Sequence, residues 1–333
     1  MKHVESHGRA VGIAGTGSYL PERVLTNADL EKMVETTDEW ILTRTGIRER
    51  HIARGDESTS DMAAEAAKRA LEMAGLQPAD IDLIIVATLS PDMTFPNTAC
   101  FVQEKIGAGK AFCFDIEAAC SGFLYALETA RHFIGGGAAN NVLVIGAEKL
   151  SCITDWQDRA SCVLFGDGAG AVVLQPRSEG RGIMGSVMGS DGALTSLLNL
   201  PGGGSRHPVS RATIENRLHY IKMSGNEVFK HAVRCMTSAG QAVLHRFGMT
   251  AEQVSWVIPH QANKRIIDAV ADRFGGCRDK FCINLDRVGN TSAASIPLLL
   301  DEVVRAGKVK RGDILLFVAF GGGFTWGATL LEW

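Results

Sequence analysis

Three residues of the chain could together act on a carbonyl group. Cys120 follows the run AFCFDIEAA, His260 follows the apolar run VSWVIP, and Asn290 lies in the small-residue turn VGNTSAAS. A cysteine thiolate is a strong nucleophile. Histidine and asparagine side chains can donate hydrogen bonds to a negative oxygen that develops during such an attack. The set is therefore suited to covalent catalysis on a carbonyl compound.

The position of Cys120 favours reactivity. It is predicted at a strand-to-helix junction, where the helix amides favour the thiolate over the thiol. Cysteines so placed can have pKa values of about 3.5–7.5, against about 8.5 for a free thiol. Each candidate also has a structural interpretation. Cys120 could be a buried apolar residue, His260 a core or surface histidine, and Asn290 an ordinary helix N-cap.

A glycine triplet in FGGGF (320–324) allows close backbone approach to a ligand. Two backbone N–H groups, one from Cys120 itself, would form an oxyanion hole. The alternative is a simple turn.

The elements that must position these residues occur twice along the chain. In the first part, AFCFDI leads to a turn at Cys120, an amphipathic stretch and the strand VLVIG. In the second, KFCINL leads to a turn at Asn290, a similar stretch and ILLFVAF. Apolar runs such as 81–88 and 141–148 are typical of buried parallel strands, and a helix is predicted over about 60–74. Duplicated βα halves predict an α/β fold with the ligand between them.

Composition limits the possible functions. The 333 residues carry 34 basic and 37 acidic side chains, a net charge of −3, which argues against bulk binding to nucleic acid or an anionic membrane. The first ten residues have no apolar signal region, so we expect a cytoplasmic protein. Eight cysteines occur without a C-x-x-C pair, and no cysteine or histidine cluster has the spacing of metal ligands. We expect no metal and no cofactor.

Seven motifs in one order resemble the β-ketoacyl-acyl carrier protein synthase III family of the thiolase-like superfamily, from Val11 to Trp333. They are TTDEWILTRTGIRERHIA (36–53), DIEAACSGFLYAL (115–127), LFGDGAGA (164–171), GNEVFK (225–230), PHQANKRI (259–266), GNTSAASIP (289–297) and FGGGFTWG (320–327). The resemblance implies a duplicated five-layered αβαβα fold, with halves at 1–178 and 179–333, working as a homodimer.

The resemblance also implies a reaction. Cys120 would take a short acyl group, acetyl first, from acyl-CoA, and malonyl-acyl carrier protein would then bind. His260 and Asn290 would stabilise the enolate formed as carbon dioxide leaves, and the carbanion would attack the acyl thioester. The backbone amides of Cys120 and Gly322 would hold the oxyanion. The product would be a 3-oxoacyl-acyl carrier protein, the first step of fatty acid biosynthesis.

Substrate contacts follow from the same resemblance. The residues matching CoA contacts are Thr36, Trp40, Arg44, Arg159, Gly225, Phe229, Ala262 and Asn263. Phe95 matches a residue that enters the partner's acyl pocket and limits chain length. Carrier-protein docking would use Lys230, Lys264, Arg265 and Arg273, whereas Asp272 departs from the basic pattern of some relatives.

Three alternatives stay open from the sequence. The same machinery could serve a quinolone- or polyketide-type condensing enzyme, or an acyl transferase, with another acyl starter. A hydrolase could use cysteine, histidine and asparagine. A non-catalytic scaffold could keep the fold without the activity.

Overall fold

The computed structural model describes residues 9–178, 182–275 and 277–333. Within them, the apolar runs predicted as buried strands are central strands of a sheet. The strands are β1 (Val11–Tyr19), β2 (Val24–Thr26), β3 (Glu49–His51), β4 (Leu83–Ala87), β5 (Phe112–Ile116), β6 (Val142–Glu148), β7 (Gly168–Pro176), β8 (Ile183–Ser190), β9 (Leu198–Asn199), β10 (Lys222–Met223), β11 (Trp256–Pro259), β12 (Ile314–Gly321) and β13 (Thr325–Glu332).

The helices connect these strands and cover the sheets. They are α1 (Asn27–Leu30), α2 (Asp38–Thr45), α3 (Thr59–Ala74), α4 (Thr98–Ile106), α5 (Gly122–Gly135), α6 (Arg159–Cys162), α7 (Arg211–Glu215), α8 (Gly225–Arg246), α9 (Lys264–Arg273), α10 (Leu285–Val288) and α11 (Ser295–Arg305).

The helix predicted over about 60–74 is α3. Ser58 caps its start, and its backbone N–H donates to the Asp61 carboxylate at 2.8 Å in a capping box. Gly75 ends the helix with a φ of 67°, a conformation that a side chain would disfavour. Its alanine-rich face packs on the first sheet in the apolar cluster that includes Ala66, Ala70 and Val173.

Two main sheets repeat one topology. The first has the order β1-β7-β6-β4-β5, with β4 parallel to β5 and β6 and with β7 antiparallel to β1 and β6. The second has the order β11-β12-β13-β8, with β11 parallel to β12. The partner that would correspond to β5 is reduced there to a single bridge between Val257 and Phe281. The predicted duplication is therefore present, with a shortened edge in the second half.

The layers are α3 and α4, the first sheet, α5 and α11, the second sheet, and α8 with α9. The middle layer buries one apolar cluster between the sheets, which includes Phe123, Leu299 and Phe317. This confirms the predicted five-layered αβαβα arrangement. The predicted boundary between halves, at 178/179, borders residues 179–181, which lie outside the described residues, and it stays a prediction.

The duplicated turns share an unusual backbone. A tight turn at 119–121 precedes α5, and one at 292–294 precedes α11. Ala119 has a φ of 45° and Ser292 a φ of 47°, a strained region for residues with a side chain. Cys120 is therefore equivalent to Ala293, so the predicted match between Cys120 and Asn290 is offset by three residues, because Asn290 lies before the turn and pairs with Phe165.

Candidate active site

A cavity of about 990 Å³ contains the three residues from which the sequence analysis began. Cys120, His260 and Asn290 all line it, together with Gly322. They come from different elements: a turn before α5, the end of β11, the loop before α11 and the end of β12. The fold thus brings together residues that are up to 202 positions apart in the chain.

Cys120 is held by the glycine-rich end of β12. A Cβ atom on Gly321 would lie 2.6 Å from the Cys120 backbone nitrogen, so only glycine allows this approach. The Thr325 hydroxyl donates to the Ala118 carbonyl at 2.8 Å, and the Ser121 hydroxyl donates to the Thr325 carbonyl at 3.1 Å. Burial raises the pKa of the Cys120 thiol to about 12. This differs from the lowered pKa expected from the sequence, since loss of water outweighs the helix amides.

His260 lies at the end of β11 and is 2% exposed. Its backbone N–H donates to the Val318 carbonyl at 2.8 Å, and its Nδ1 lies 2.7 Å from the Ser295 hydroxyl. Burial lowers the pKa of the imidazole to about 3, so the ring is neutral near pH 7. The contact with Ser295 leaves Nε2 as the ring nitrogen available to the cavity.

Asn290 is oriented by its own loop. Its Oδ1 accepts a hydrogen bond from the Ser292 backbone N–H at 2.9 Å. Its main chain pairs with the neighbouring strand end: the Asn290 N–H donates to Leu164, and Gly166 donates to the Asn290 carbonyl. Because Oδ1 is engaged, the NH₂ group is the end of the amide that remains to donate into the cavity. A neutral imidazole and a carboxamide donor are therefore suited to stabilise an enolate or oxyanion.

The mouth of the cavity carries most of the residues matched to CoA contacts. Those that line it are Trp40, Arg44, Gly225, Phe229, Ala262 and Asn263. The Arg159 guanidinium lies 4.8 Å from the Trp40 ring centroid. Thr36 is separate from the described lining, and its buried Oγ1 has no partner among the described residues. An aromatic ring beside a cation can stack a nucleobase.

The predicted docking residues occupy several positions around the mouth. Lys230 and Arg265 line the cavity, and Arg273 lines an adjacent groove with Arg234, which the sequence analysis missed. Lys264 is 2.7 Å from the Asp268 carboxylate. In contrast, Phe95 is 83% exposed and lies away from the described lining of the cavity.

Three polar groups near the reacting atoms were also missed. Ser295 contacts His260, Ser292 lines the cavity beside Asn290, and Glu148 ends β6 and is completely buried. The signal for Glu148 was available, since it ends the apolar run NVLVIGAE as His260 ends VSWVIP. Within the described parts of the chain, no group of three histidine, cysteine or acidic residues is placed to hold a metal ion. No helix in those parts is both long and apolar enough to cross a membrane.

A duplicated α/β fold with this cavity between its halves defines the class of the thiolase-like condensing enzymes. The family model for 3-oxoacyl-[acyl-carrier-protein] synthase III matches residues 114–192, and the model for its C-terminal part matches 244–333. The chain belongs to the β-ketoacyl-[acyl-carrier-protein] synthase III family.

Individual relatives cover nearly the whole chain. The β-ketoacyl-[acyl-carrier-protein] synthase III of Caldanaerobacter subterraneus subsp. tengcongensis is 57% identical over 97% of this chain and 98% of its own. The crystal structure of 3-oxoacyl-[acyl-carrier-protein] synthase III from Aquifex aeolicus VF5 is 52% identical, with a TM-score of 0.90 over 97% of this chain and 100% of its own. A priming β-ketosynthase from the R1128 polyketide biosynthetic pathway is 36% identical, with a TM-score of 0.91 over 98% of this chain and 97% of its own.

Proposed function

We propose that the protein is a β-ketoacyl-acyl carrier protein synthase III that starts fatty acid biosynthesis in the cytoplasm. It is an acyltransferase that condenses a short acyl-CoA, acetyl-CoA first, with malonyl-acyl carrier protein to give a 3-oxoacyl-acyl carrier protein. The observation that carries the proposal is the single cavity lined by Cys120, His260 and Asn290. Relatives named for this activity at more than 50% identity favour it over a polyketide-type enzyme.

The proposed reaction has two halves. In the first, the Cys120 sulfur attacks the acyl carbonyl, and the acyl group moves from CoA to the enzyme. In the second, malonyl-acyl carrier protein loses carbon dioxide, and the two neutral donors of His260 and Asn290 stabilise the enolate oxygen. The new carbanion attacks the acyl thioester while the amides of Cys120 and Gly322 stabilise the oxyanion. No cofactor is required by these steps.

Intact-mass analysis with acetyl-CoA alone tests the first half. A condensing enzyme accumulates a stable acetyl adduct on Cys120, whereas a hydrolase turns acetyl-CoA over and shows none. Steady-state comparison of acyl-CoA starters with malonyl-acyl carrier protein then tests the pathway. Exclusive use of an aromatic starter would overturn the fatty-acid assignment.

The pair of Trp40 and Arg159 would stack the CoA adenine. An exposed cation–π contact contributes about 0.5–1 kcal/mol, so Arg159→Ala is expected to raise the KM for acyl-CoA about two- to fivefold. Arg69 provides a matched control, since it lies 5.9 Å from the Tyr19 ring in another exposed pair. Arg69→Ala should leave that KM unchanged, and an equal change in both variants would contradict a specific role at the mouth.

The docking site would recognise the acidic carrier protein through Lys230, Lys264, Arg265 and Arg273. Some of this charge is already paired, since Lys230 lies 2.7 Å from Glu227 and Lys264 contacts Asp268. Arg273→Glu is expected to raise the KM for malonyl-acyl carrier protein without slowing acylation by acyl-CoA. Arg211→Glu, at a helix away from the groove, is the control for the charge change alone.

A homodimer would explain two features of the first half. β5 is the edge strand of its sheet, and Phe112 on it is 46% exposed. Phe95, at 83% exposure, would enter the partner's acyl pocket and limit chain length. Exposed edges and large apolar side chains favour association. Sedimentation equilibrium measures the association, and Phe95→Ala should shift the preference towards longer starters.

A further inference from the structure

Glu148 is a buried carboxyl group that the reaction above does not use. It ends β6 with no exposed surface. Its Oε2 accepts hydrogen bonds from the Ser90 hydroxyl at 2.5 Å, the Thr88 hydroxyl at 3.2 Å, and the backbone N–H groups of Ser90 and Leu89 at 3.2 Å. Its Oε1 receives, among the described residues, the Leu89 N–H at 3.3 Å. One oxygen is thus fully engaged while the other has capacity for a proton.

Burial gives this carboxyl group an unusual acidity. Loss of water raises its pKa from 4.5 to about 7, although the hydrogen bonds from Ser90 and Leu89 oppose the rise. The group is therefore poised between its two forms near neutral pH. A carboxyl group with this acidity exchanges protons efficiently at pH 7.

Ser292 belongs to the turn at 292–294, which packs against both β6, the strand that ends in Glu148, and the turn that carries Cys120. It is 1% exposed, its φ of 47° is strained, and its Oγ makes no hydrogen bond to any of the described residues. Donation of its single O–H to either group lowers the pKa of that group, whether Cys120 or Glu148. An unpartnered buried hydroxyl is costly, so its position calls for an explanation.

Acylation requires a place for a proton. As the Cys120 sulfur bonds to the acyl carbon, the bond from that carbon to the CoA sulfur breaks. The thiol proton must therefore leave Cys120 and finally reach the CoA sulfur. His260 is a poor temporary acceptor, because burial holds the pKa of its ring at about 3.

We propose that Glu148 holds this proton during acylation, receiving it through the Ser292 hydroxyl and returning it to the departing CoA thiolate by the same path. Ser292 accepts the thiol proton and passes its own to the carboxylate, so one negative charge remains in the buried site throughout. Release of the proton to water would leave two negative charges in the buried site, which is unfavourable because the Glu148 carboxylate opposes ionisation of Cys120. The proposal rests on the proposed function, since it concerns the same thiol.

Other charged groups face this site. Glu117 also disfavours ionisation of Cys120, and its carboxylate accepts the Ala119 N–H at 2.8 Å. Cys152 lies close enough to Glu148 for its own ionisation to be opposed by that carboxylate. Lys149 follows Glu148 but turns away to the carbonyls of Arg54 and Glu57. Glu117 is therefore the rival acceptor that the experiment must separate from Glu148.

The test is single-turnover acylation by acetyl-CoA, measured by intact mass. The pH is varied from 5.5 to 8.5, a range that spans the Glu148 pKa of about 7. In the wild type the rate should rise with pH through about 7, as Glu148 becomes a carboxylate able to accept a proton. Glu148→Gln should slow acylation by about 10²-fold and remove that rise. Glu148→Asp should recover part of the acylation rate and part of its rise with pH. Ser292→Ala should resemble Glu148→Gln in both measurements.

A merely structural role predicts a different result. Asp167→Asn removes another completely buried carboxylate, one bound by Ser151 and the Ala53 N–H, and should keep the pH dependence. Decarboxylation of malonyl-acyl carrier protein should change little in Glu148→Gln, because no thiol proton moves in that step. Circular dichroism checks that each variant is folded. If Glu148→Gln does not fold, the pH dependence of Ser292→Ala and Glu148→Asp distinguishes the relay from a structural role.

Two outcomes overturn the inference. An unchanged pH dependence in Ser292→Ala or Glu148→Gln excludes the relay, and its loss in Glu117→Gln instead assigns the proton to Glu117. Failure of the wild type to form any adduct on Cys120 contradicts the proposed function itself. A wild type that acylates while the variants keep its pH dependence refutes only the relay.

Discussion

The end of β6 and the end of β12 show how one duplicated frame supports two kinds of chemistry. Each strand end packs against the turn of the opposite half: Gly146 of β6 approaches Ala293, and Gly321 of β12 approaches Cys120. Beyond these contacts the two ends differ. β6 ends in buried Glu148, whereas β12 continues into Gly322 and Gly323, which line the cavity.

The difference separates two tasks. The glycine end leaves space and backbone amides beside the nucleophile, while the acidic end places a proton acceptor behind the turn at 292–294. Both turns keep the same strained backbone, with φ values of 45° and 47° at Ala119 and Ser292. Duplication therefore supplies the geometry, and a few substitutions at the strand ends supply the chemistry.

Removal of the nucleophile is the strongest way to test this separation. Cys120→Ala is expected to reduce acylation by more than about 10³-fold, because Cys120 is the only cysteine among the described residues that line the cavity. Decarboxylation of malonyl-acyl carrier protein should persist, since His260 and Asn290 are untouched. Intact mass with acetyl-CoA and carbon dioxide release measure the two activities. Normal acylation in this variant would place the nucleophile elsewhere.

The two hydrogen-bond donors, His260 and Asn290, should give the reverse pattern. His260→Ala or Asn290→Ala is expected to keep acylation and to slow decarboxylation by about 10²–10³-fold, the usual effect of removing one donor to an oxyanion. The same two assays measure it. Loss of acylation with normal decarboxylation would contradict the assigned roles of His260 and Asn290.

Glu148 should leave a mark on stability that is independent of activity. Its pKa is about 7 in the folded protein and about 4.5 in the unfolded chain. Below pH 4.5 both states are protonated; between these values the unfolded chain releases its proton first, so folding stability falls as the pH rises. Above pH 7, the unfolding free energy of Glu148→Gln should therefore increase relative to that of the wild type by about 3 kcal/mol.

Urea unfolding from pH 4 to pH 8 (the window set by those pKa values) measures this difference. Glu128→Gln is the opposite control, because Arg131 and Ser186 hold the pKa of Glu128 below its usual range. That variant should lose stability relative to the wild type near neutral pH. A flat difference for Glu148→Gln would mean that the carboxyl group is not buried as described.

The two close glycine contacts should be comparable in stability and distinct in activity. A Cβ on residue 146 would lie 2.3 Å from the Ala293 carbonyl, and one on residue 321 would lie 2.6 Å from the Cys120 nitrogen. Each change to alanine is expected to cost about 1–3 kcal/mol of unfolding free energy. Gly321→Ala should impair acylation, because it displaces Cys120. Gly146→Ala should impair decarboxylation as well as acylation, because the turn it displaces carries Ser292 and leads into Ser295. Gly109→Ala, where no described atom lies within 4 Å of the new Cβ, is the control.

Sequence reasoning reached the fold because periodic apolar runs and turn residues report local structure directly. It found α3 to within one residue of its observed start, and the duplication followed from the repeated strand–turn–helix order. It could not see that Cys120 loses more water than the helix amides compensate, because burial depends on the packing of distant segments. Ser292 and Ser295 were missed for a related reason: a serine in a small-residue turn gives no sign of the side chain it will meet.

Ser295, the first residue of α11, and Ser121, the residue before α5, offer the finest comparison of the two halves. The Ser295 hydroxyl is 2.7 Å from His260 Nδ1, while the Ser121 hydroxyl donates to the Thr325 carbonyl. A hydrogen bond contributes about 0.5–1.5 kcal/mol net, so Ser295→Ala is expected to slow decarboxylation about two- to tenfold by releasing the imidazole. Ser121→Ala should lower the free energy of unfolding by a similar amount without slowing decarboxylation selectively. The reason is that its hydroxyl bonds to the Thr325 carbonyl and not to a donor of the enolate. Equal slowing of acylation and decarboxylation by both changes would mean that the turns act as one rigid unit rather than as two separable sites.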